Sequence, residues 1–359
     1  HGYTAGSVFE PKLSFIFNIC KICTKFGAIN KDLKMKYSSS GLLETFEDHL
    51  ARIEMPSEPE RLYMPIVYSM SNGGKRLRPT LLLAACNIFS DDITPALRAA
   101  AAIEVFHNFT LLHDDIMDNA EVRRGRPSVC AKWGDNVALL SGDAMMIAAY
   151  RQLQKSPRNL LPQILEIFND MALHVCEGQQ YDMDFESRTK ISVVDYMHMI
   201  ELKTSALLVG AASIGAVIGG ASEEDCRKIE RFAMELGLAF QLQDDLLDSY
   251  GDEALLGKKI GGDIIEGKKT YLMIQAMSHA DEPTRDILRY TYKDTSLSPE
   301  EKIARVKEVY DRLDIPRITE QQISVRIERA ISILDTLSVP AENTENIRAF
   351  ALSLIGRTK

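Results

Sequence analysis

This sequence predicts an all-α protein, one large single-domain helical bundle of ten or more helices around a central cavity. Three observations carry that prediction. From Leu42 onward nearly every long segment places apolar residues at helical spacing. Alternating β-branched runs flanked by Asn-Gly or Asp-Gly turns are absent. Runs of small residues, such as Ala99-Ala100-Ala101-Ala102 and Gly210 to Ala216, permit close helix approach. Mid-helix glycine costs about 1 kcal/mol relative to alanine, so packing must compensate for it.

The elements follow in order. Leu42, Leu43, Phe46 and Leu50 form one stripe, with Ser39 or Ser40 as its cap. Helical spacing continues over 79–89, 96–113, 137–153, 160–175, 193–219 and 223–247. Breaks fall at Ser71-Asn72-Gly73-Gly74, Arg124-Gly125-Arg126-Pro127, Ser156-Pro157 and 251–269. None of them is a low-complexity linker. The 359 residues therefore read as one domain over 35–359, although length alone would allow two.

Residues 1–34 read as a leader outside the fold, because Met35 resembles a natural start. A net charge of −9 argues against nucleic acid as a partner. No run of about 18 apolar residues is evident, so stable membrane insertion is not expected. Cys20 and Cys23 form one Cys-x-x-Cys pair without a second pair at zinc spacing. The other cysteines read as small buried hydrophobes of a reducing cytoplasm.

Two pentapeptides carry the chemistry: Asp114-Asp115-Ile116-Met117-Asp118 and Asp244-Asp245-Leu246-Leu247-Asp248. Residues four apart share a helix face, so Asp114 points with Asp118, and Asp244 with Asp248. Carboxylates packed this closely need cations. Mg²⁺ suits them, since it retains waters and shares its shell with substrate phosphates. Basic residues flank both clusters. Arg123-Arg124-Gly125 follows the first, and Gly73-Gly74-Lys75-Arg76-Leu77-Arg78-Pro79 puts three cations on a glycine turn opening a helix. Guanidinium groups and helix-start N–H groups both bind phosphate oxygens. Lysines on glycine-rich loops after the second cluster suit a phosphate-closing lid. Any one of these features alone would pass for a solvated face. Together they describe a metal-bridged diphosphate held between helices.

The motifs resemble the trans-polyprenyl diphosphate synthase family, the farnesyl, geranylgeranyl and longer-chain synthases, from about Gly73 to Lys269. They are Gly74-Lys75-Arg76-Leu77-Arg78-Pro79, the two Asp clusters, Arg123-Arg124-Gly125, Gly178-Gln179-x-x-Asp182, Lys203-Thr204, Phe240-Gln241 and Gly267-Lys268. The resemblance implies the isoprenoid synthase type of helical fold and a requirement for three Mg²⁺ ions. Two ions would sit on Asp114 and Asp118 and the third on Asp244, with Asp115, Asp245 and Asp248 as outer partners. It assigns catalysis to Asp114, Asp115, Asp118, Arg123, Lys203 and Asp244. Arg123, Lys203, Gln241 and Lys258 would hold the allylic diphosphate, with Lys268 beside them. Lys259 is the alternative to Lys258, depending on loop length. Gly74, Lys75, Arg78, His107 and Arg124 would hold isopentenyl diphosphate. Thr204 and Gln241 would stabilise positive charge through their oxygens.

In that family a bulky residue five positions before the first cluster stops chain growth. Phe109 stands there, about 140° around an ideal helix from Asp114, so helix geometry alone does not aim it at the cavity. With no two-residue insertion in the first cluster, the chain is most similar to geranylgeranyl-type enzymes, then farnesyl-type. The alternatives are a longer-chain synthase, a terpene cyclase or a non-catalytic synthase subunit. A cytoplasmic homodimer is expected from the same resemblance.

Overall fold

The computed structural model describes residues 37–252 and 260–355. The expected leader, Cys20, Cys23, Lys258 and Lys259 lie outside the described residues. Helix α1 (Ser39–Leu50) starts at Ser38, whose hydroxyl accepts from the Gly41 N–H at 3.1 Å. The cap is thus one residue before those expected. Leu42 and Phe46 from this helix are fully buried.

A second helix, α2 (Glu60–Ser71), was not legible because Pro65 interrupts its pattern. Then come α3 (Leu77–Phe89), α4 (Leu97–Met117), the short α5 (Val129–Trp133), α6 (Asp135–Leu153) and α7 (Leu161–Ser187). Between α4 and α5 a small hairpin pairs β1 (Val122–Arg123) with β2 (Arg126–Pro127), where the sequence suggested only a break.

The next run holds α8 (Val193–Ile200), a π-helical turn (Glu201–Ser205) and α9 (Ala206–Gly219) without interruption. By length and composition this run could cross a membrane, with a mean hydropathy of 1.6. That revises the expectation that no such stretch exists: Glu201 and Lys203 break the apolar count but not the helix. Most of it is buried inside the bundle, so core packing accounts for its apolarity.

Helix α10 (Glu223–Tyr250) follows. The expected break at 251–269 contains a further helix, α11 (Gly262–Glu266), set between the left-handed glycines Gly261 and Gly267. Helices α12 (Tyr271–His279), α13 (Glu282–Lys293), α14 (Pro299–Arg312), α15 (Ile315–Leu334) and α16 (Glu345–Ile355) complete the described chain.

The glycine and alanine runs work as predicted. A carbon added at Gly215 would lie 2.1 Å from the Leu82 carbonyl oxygen, so α9 and α3 touch backbone to backbone. The four alanines of 99–102 are fully buried where α4 packs among α3 and α6. α10 runs along α15, and the buried apolar residues merge into one core. Of the described cysteines, Cys86 is buried as expected, whereas Cys130 and Cys226 are half-buried and Cys176 is exposed. Its place on α7 faces a cavity rather than the core.

Candidate active site

The C-terminal end of α4 carries the first aspartate cluster, with Asp118 as the residue that closes the helix. The second cluster sits near the end of α10. Between them lie the π turn, with Lys203 and Thr204, and the second half of α7, with Asp182. Two adjoining cavities occupy this space. One, of about 340 Å³, is lined by Asp114, Asp244, Arg78, His107, Phe109 and Cys176 among others. The other, of about 560 Å³, is lined by Asp118, Asp182, Asp245, Asp263, Glu266 and Lys268 among others. Lys203, Thr204 and Gln241 border both. Of the sequence-predicted residues, Arg78, His107, Phe109, Asp114, Asp118, Lys203, Thr204, Gln241, Asp244 and Lys268 border these cavities, whereas Arg123 and Arg124 line a separate small hollow beside Asp115.

The carboxylates of each cluster differ in exposure. Asp114 is half-buried, 3.8 Å from the Arg123 guanidinium and 3.8 Å from the Lys203 ammonium. Lys203 pairs more closely with Asp182, at 2.5 Å. Asp115 turns into the protein, where Arg123 binds one of its oxygens through Nε at 2.7 Å and Nη2 at 2.5 Å. Burial pushes the Asp115 carboxyl up and Arg123 pulls it back only in part. At Asp118, burial and then the Asp114 charge raise the carboxyl above its ordinary value.

Asp245 is buried and accepts three hydrogen bonds: Tyr196 Oη at 2.5 Å, Gln241 Nε2 at 2.9 Å and the Tyr271 N–H at 3.1 Å. Burial still lifts it to about 6. Asp248, also buried, accepts from the Asp263 N–H at 3.0 Å, while its own carbonyl accepts from the Gly261 N–H at 2.6 Å. It fastens α11 to α10. Asp244 stays at the cavity wall. Gln241 is fixed at both ends, since its Oε1 accepts from Thr204 Oγ1 at 2.8 Å.

Hard oxygen donors thus face the cavities from α4 and α10, and they fit Mg²⁺. Among the described residues no three aspartate, glutamate, histidine or cysteine side chains close into a metal cage.

The basic flank departs from the sequence reading at one position. Arg76 is buried facing the other way, bonded to Glu47 at 3.0 Å, Glu104 at 2.6 Å and the Met70 carbonyl at 2.9 Å. Of the other cations of that loop, Lys75 is exposed and Arg78 lies on the cavity wall. Arg78 contacts His107 Nε2 at 3.1 Å. Burial, then Arg78 and the arginines nearby, hold the His107 imidazole well below its ordinary value. The ring is neutral at pH 7, and because arginine only donates, Nε2 is the acceptor. Arg124 donates to the Gly73 carbonyl, and a carbon at Gly74 would lie 2.8 Å from its Nη1. Gly74 itself sits at φ 136, a backbone conformation that side-chain-bearing residues rarely adopt.

Lys268 pairs with Glu266 at 2.9 Å. Burial works against its charge, but that carboxylate more than offsets the effect. Lys269 differs. It donates to the carbonyls of Phe185, Glu186 and Arg188 and so ties down the C-terminal end of α7. Neither this role nor the Tyr196–Asp245 bond left a sequence signal.

Phe109 lines the smaller cavity, its ring 5.4 Å from Phe106 and 4.7 Å from His113. Phe109 reaches the cavity despite lying about 140° from Asp114, because the cavity borders a broad face of α4, from His107 to Met117. Long helical side chains also lean toward the N-terminus.

The polyprenyl synthetase family model matches residues 59–313. A geranylgeranyl diphosphate synthase of Methanosarcina mazei is 42% identical over 223 residues, 61% of this chain and 68% of that protein. A crystal structure of a geranylgeranyl pyrophosphate synthase superposes with a TM-score of 0.85 at 39% identity, covering 90% of this chain and 100% of the other. The Corynebacterium glutamicum geranylgeranyl pyrophosphate synthase, crystallised with isoprenyl diphosphate and magnesium, gives 0.76 at 28% identity, covering 89% and 96%.

Proposed function

The chain belongs to the polyprenyl synthetase family, a family of prenyltransferases, and from that premise we propose its reaction. It joins isopentenyl diphosphate head-to-tail to an allylic diphosphate, with Mg²⁺, and the product is geranylgeranyl diphosphate. The observation that carries this reading is the placing of Asp114 and Asp244 on one cavity, with Lys203 and Gln241 on its wall and Phe109 lining it.

Asp114 and Asp118 would hold two Mg²⁺ ions and Asp244 a third, which when bound neutralise the charge of a departing diphosphate. Lys203 and Lys268 on the cavity wall, with Arg123 beside Asp114, would stabilise the negative charge that builds as the allylic C–O bond breaks. Arg78, Lys75, Arg124 and the backbone at Gly74 hold the second diphosphate. The double bond of isopentenyl diphosphate then attacks the allylic cation. Thr204 and Gln241, locked together, turn oxygen lone pairs toward that positive charge. Val175, Leu207 and Phe240 supply apolar wall that keeps water from the cation. The proton then leaves to the released diphosphate.

A cytoplasmic homodimer of one catalytic unit, residues 35–359, is part of this proposal. Leu140 and Ile147 of α6 and Leu173 of α7 are exposed at 59%, 62% and 59%, an apolar face suited to a second copy. Light scattering on the native chain and on Ile147→Glu tests the assembly.

The decisive experiment supplies Mg²⁺ and isopentenyl diphosphate with dimethylallyl, geranyl or farnesyl diphosphate and resolves products by mass. Condensation should need both substrates and stop with chelator. Turnover of an allylic diphosphate alone would point to a cyclase, and none at all to a non-catalytic subunit.

A further inference from the structure

The second diphosphate site proposed above is built from two separate pieces of chain, 73–78 and the hairpin at 122–127. Something must hold them at a fixed spacing. The hairpin cannot do so alone: its strands are two residues each, and Arg124 sits at φ 53 before Gly125 at φ 74. A left-handed arginine is unfavourable, and a two-stranded hairpin of this size has little stability of its own. Inside the site, the link is Arg124 to the Gly73 carbonyl. A phosphate oxygen arriving at Arg124 competes for that same donor.

Outside the site stands another link. The Tyr68 hydroxyl of α2 donates to the Pro127 carbonyl of β2 at 2.8 Å. Its ring lies 4.2 Å from the Arg126 guanidinium and 4.4 Å from the Lys132 ammonium, and it meets Trp133 edge-on at 5.0 Å. Lys132 also lies 4.5 Å from the Trp133 ring. This cluster clamps β2 and α5 to the helix that runs directly into the Gly73-Gly74 loop. None of its bonds uses a donor that the diphosphate needs.

We propose that Tyr68 is a positioning residue that sets the spacing of the Arg124 hairpin from the glycine loop, and thereby the affinity for isopentenyl diphosphate. The inference rests on the proposed function. Tyr68→Phe deletes only the hydroxyl, and Tyr68→Leu removes the stacked ring as well. With one hydrogen bond lost, KM for isopentenyl diphosphate should rise by about 2- to 10-fold in Tyr68→Phe, and further in Tyr68→Leu. KM for the allylic substrate and kcat should change by less than about twofold. A general loosening of the fold would move both KM values together.

Trp133, the one tryptophan of the chain, gives a reading independent of turnover. Its emission should respond to isopentenyl diphosphate or inorganic diphosphate, with a midpoint displaced by the same factor in the variants. Unchanged midpoints in both variants, or equal rises in both KM values, overturn the inference. A wild-type chain that shifts its emission yet condenses nothing overturns the function instead, and the midpoints still decide the role of Tyr68.

Discussion

A side-chain carbon on Gly178 would stand 2.2 Å from the backbone nitrogen of Lys203 and 2.6 Å from its Cα. On the other side of the same π turn, a carbon on Gly237 would stand 2.7 Å from the Ser205 Cβ. The turn is gripped between bare patches of α7 and α10. Four residues past each glycine lies the group that the turn reaches. Asp182 follows Gly178 and pairs with Lys203, while Gln241 follows Gly237 and binds Thr204. π-Helical insertions often mark functional sites, and here packing maintains one.

Gly178→Ala should therefore push the turn away from α7 and break the reach of Lys203. Overpacking of this kind costs about 1–3 kcal/mol of stability. The expected result is a lower melting temperature and a fall in kcat/KM for the allylic substrate of at least about tenfold, equivalent to roughly 1.4 kcal/mol of lost transition-state stabilisation. A variant as active as wild type would show that the contact does not place Lys203.

Phe109→Ala should lengthen the products, read by mass spectrometry after incubation with farnesyl diphosphate. Removing the ring opens the cavity toward Phe106, which itself packs 5.2 Å from Phe168. The extension should stop at that second ring. An unchanged product distribution would remove Phe109 from the role of floor.

The helices and the Asp clusters were legible because both rest on short-range periodicity, apolar spacing in one case and carboxylates one turn apart in the other. Three things were not. Arg76 looks like its neighbours Lys75 and Arg78, and only its left-handed backbone and buried partners Glu47 and Glu104 set it apart. Lys268 and Lys269 are adjacent and alike in sequence, yet they face different surroundings. The family resemblance already set Asp244 apart from Asp245 and Asp248, but the partners that hold Asp245, Tyr196 and Tyr271, are distant along the chain.

Asp244 and Asp248 should respond differently to substitution. Asp244→Ala should abolish condensation, because that carboxylate faces the cavity. Asp248→Asn retains an oxygen for the Asp263 N–H and should stay active, whereas Asp248→Ala frees α11 and should raise KM for the allylic diphosphate. Steady-state kinetics on the three variants separates these outcomes; equal losses in all three would contradict the division of labour.

Asp245 gives a pH signature. Its carboxyl stands at about 6 in the native protein against an ordinary value of 3.8. The native state thus binds this proton more tightly than the unfolded chain. The stability it contributes is fully present below about pH 4, is lost as pH rises to about 6, and is flat above that. Melting temperatures of wild type and Asp245→Asn, taken in chelator from pH 4 to 8, should diverge against the wild type over that window. A difference independent of pH would mean that Asp245 titrates normally.

Lys268 and Lys269 provide the sharpest contrast, because neighbouring residues of one type should fail in opposite ways. Lys268, its side chain about half exposed, borders the larger cavity and pairs with exposed Glu266, a contact that contributes little to folding. Lys268→Met should leave the melting temperature near wild type and raise KM for the allylic diphosphate. Lys269 instead satisfies carbonyls at the end of α7 that the helix leaves without N–H partners. Losing such charge-assisted bonds costs about 1.5–3 kcal/mol, so Lys269→Met should melt several degrees lower. Its KM should rise less than that of Lys268→Met, because Lys269 acts through the end of α7 and not on phosphate. Calorimetry and kinetics on the pair settle the assignment, and an exchange of the two phenotypes would mean that Lys269 is the diphosphate ligand.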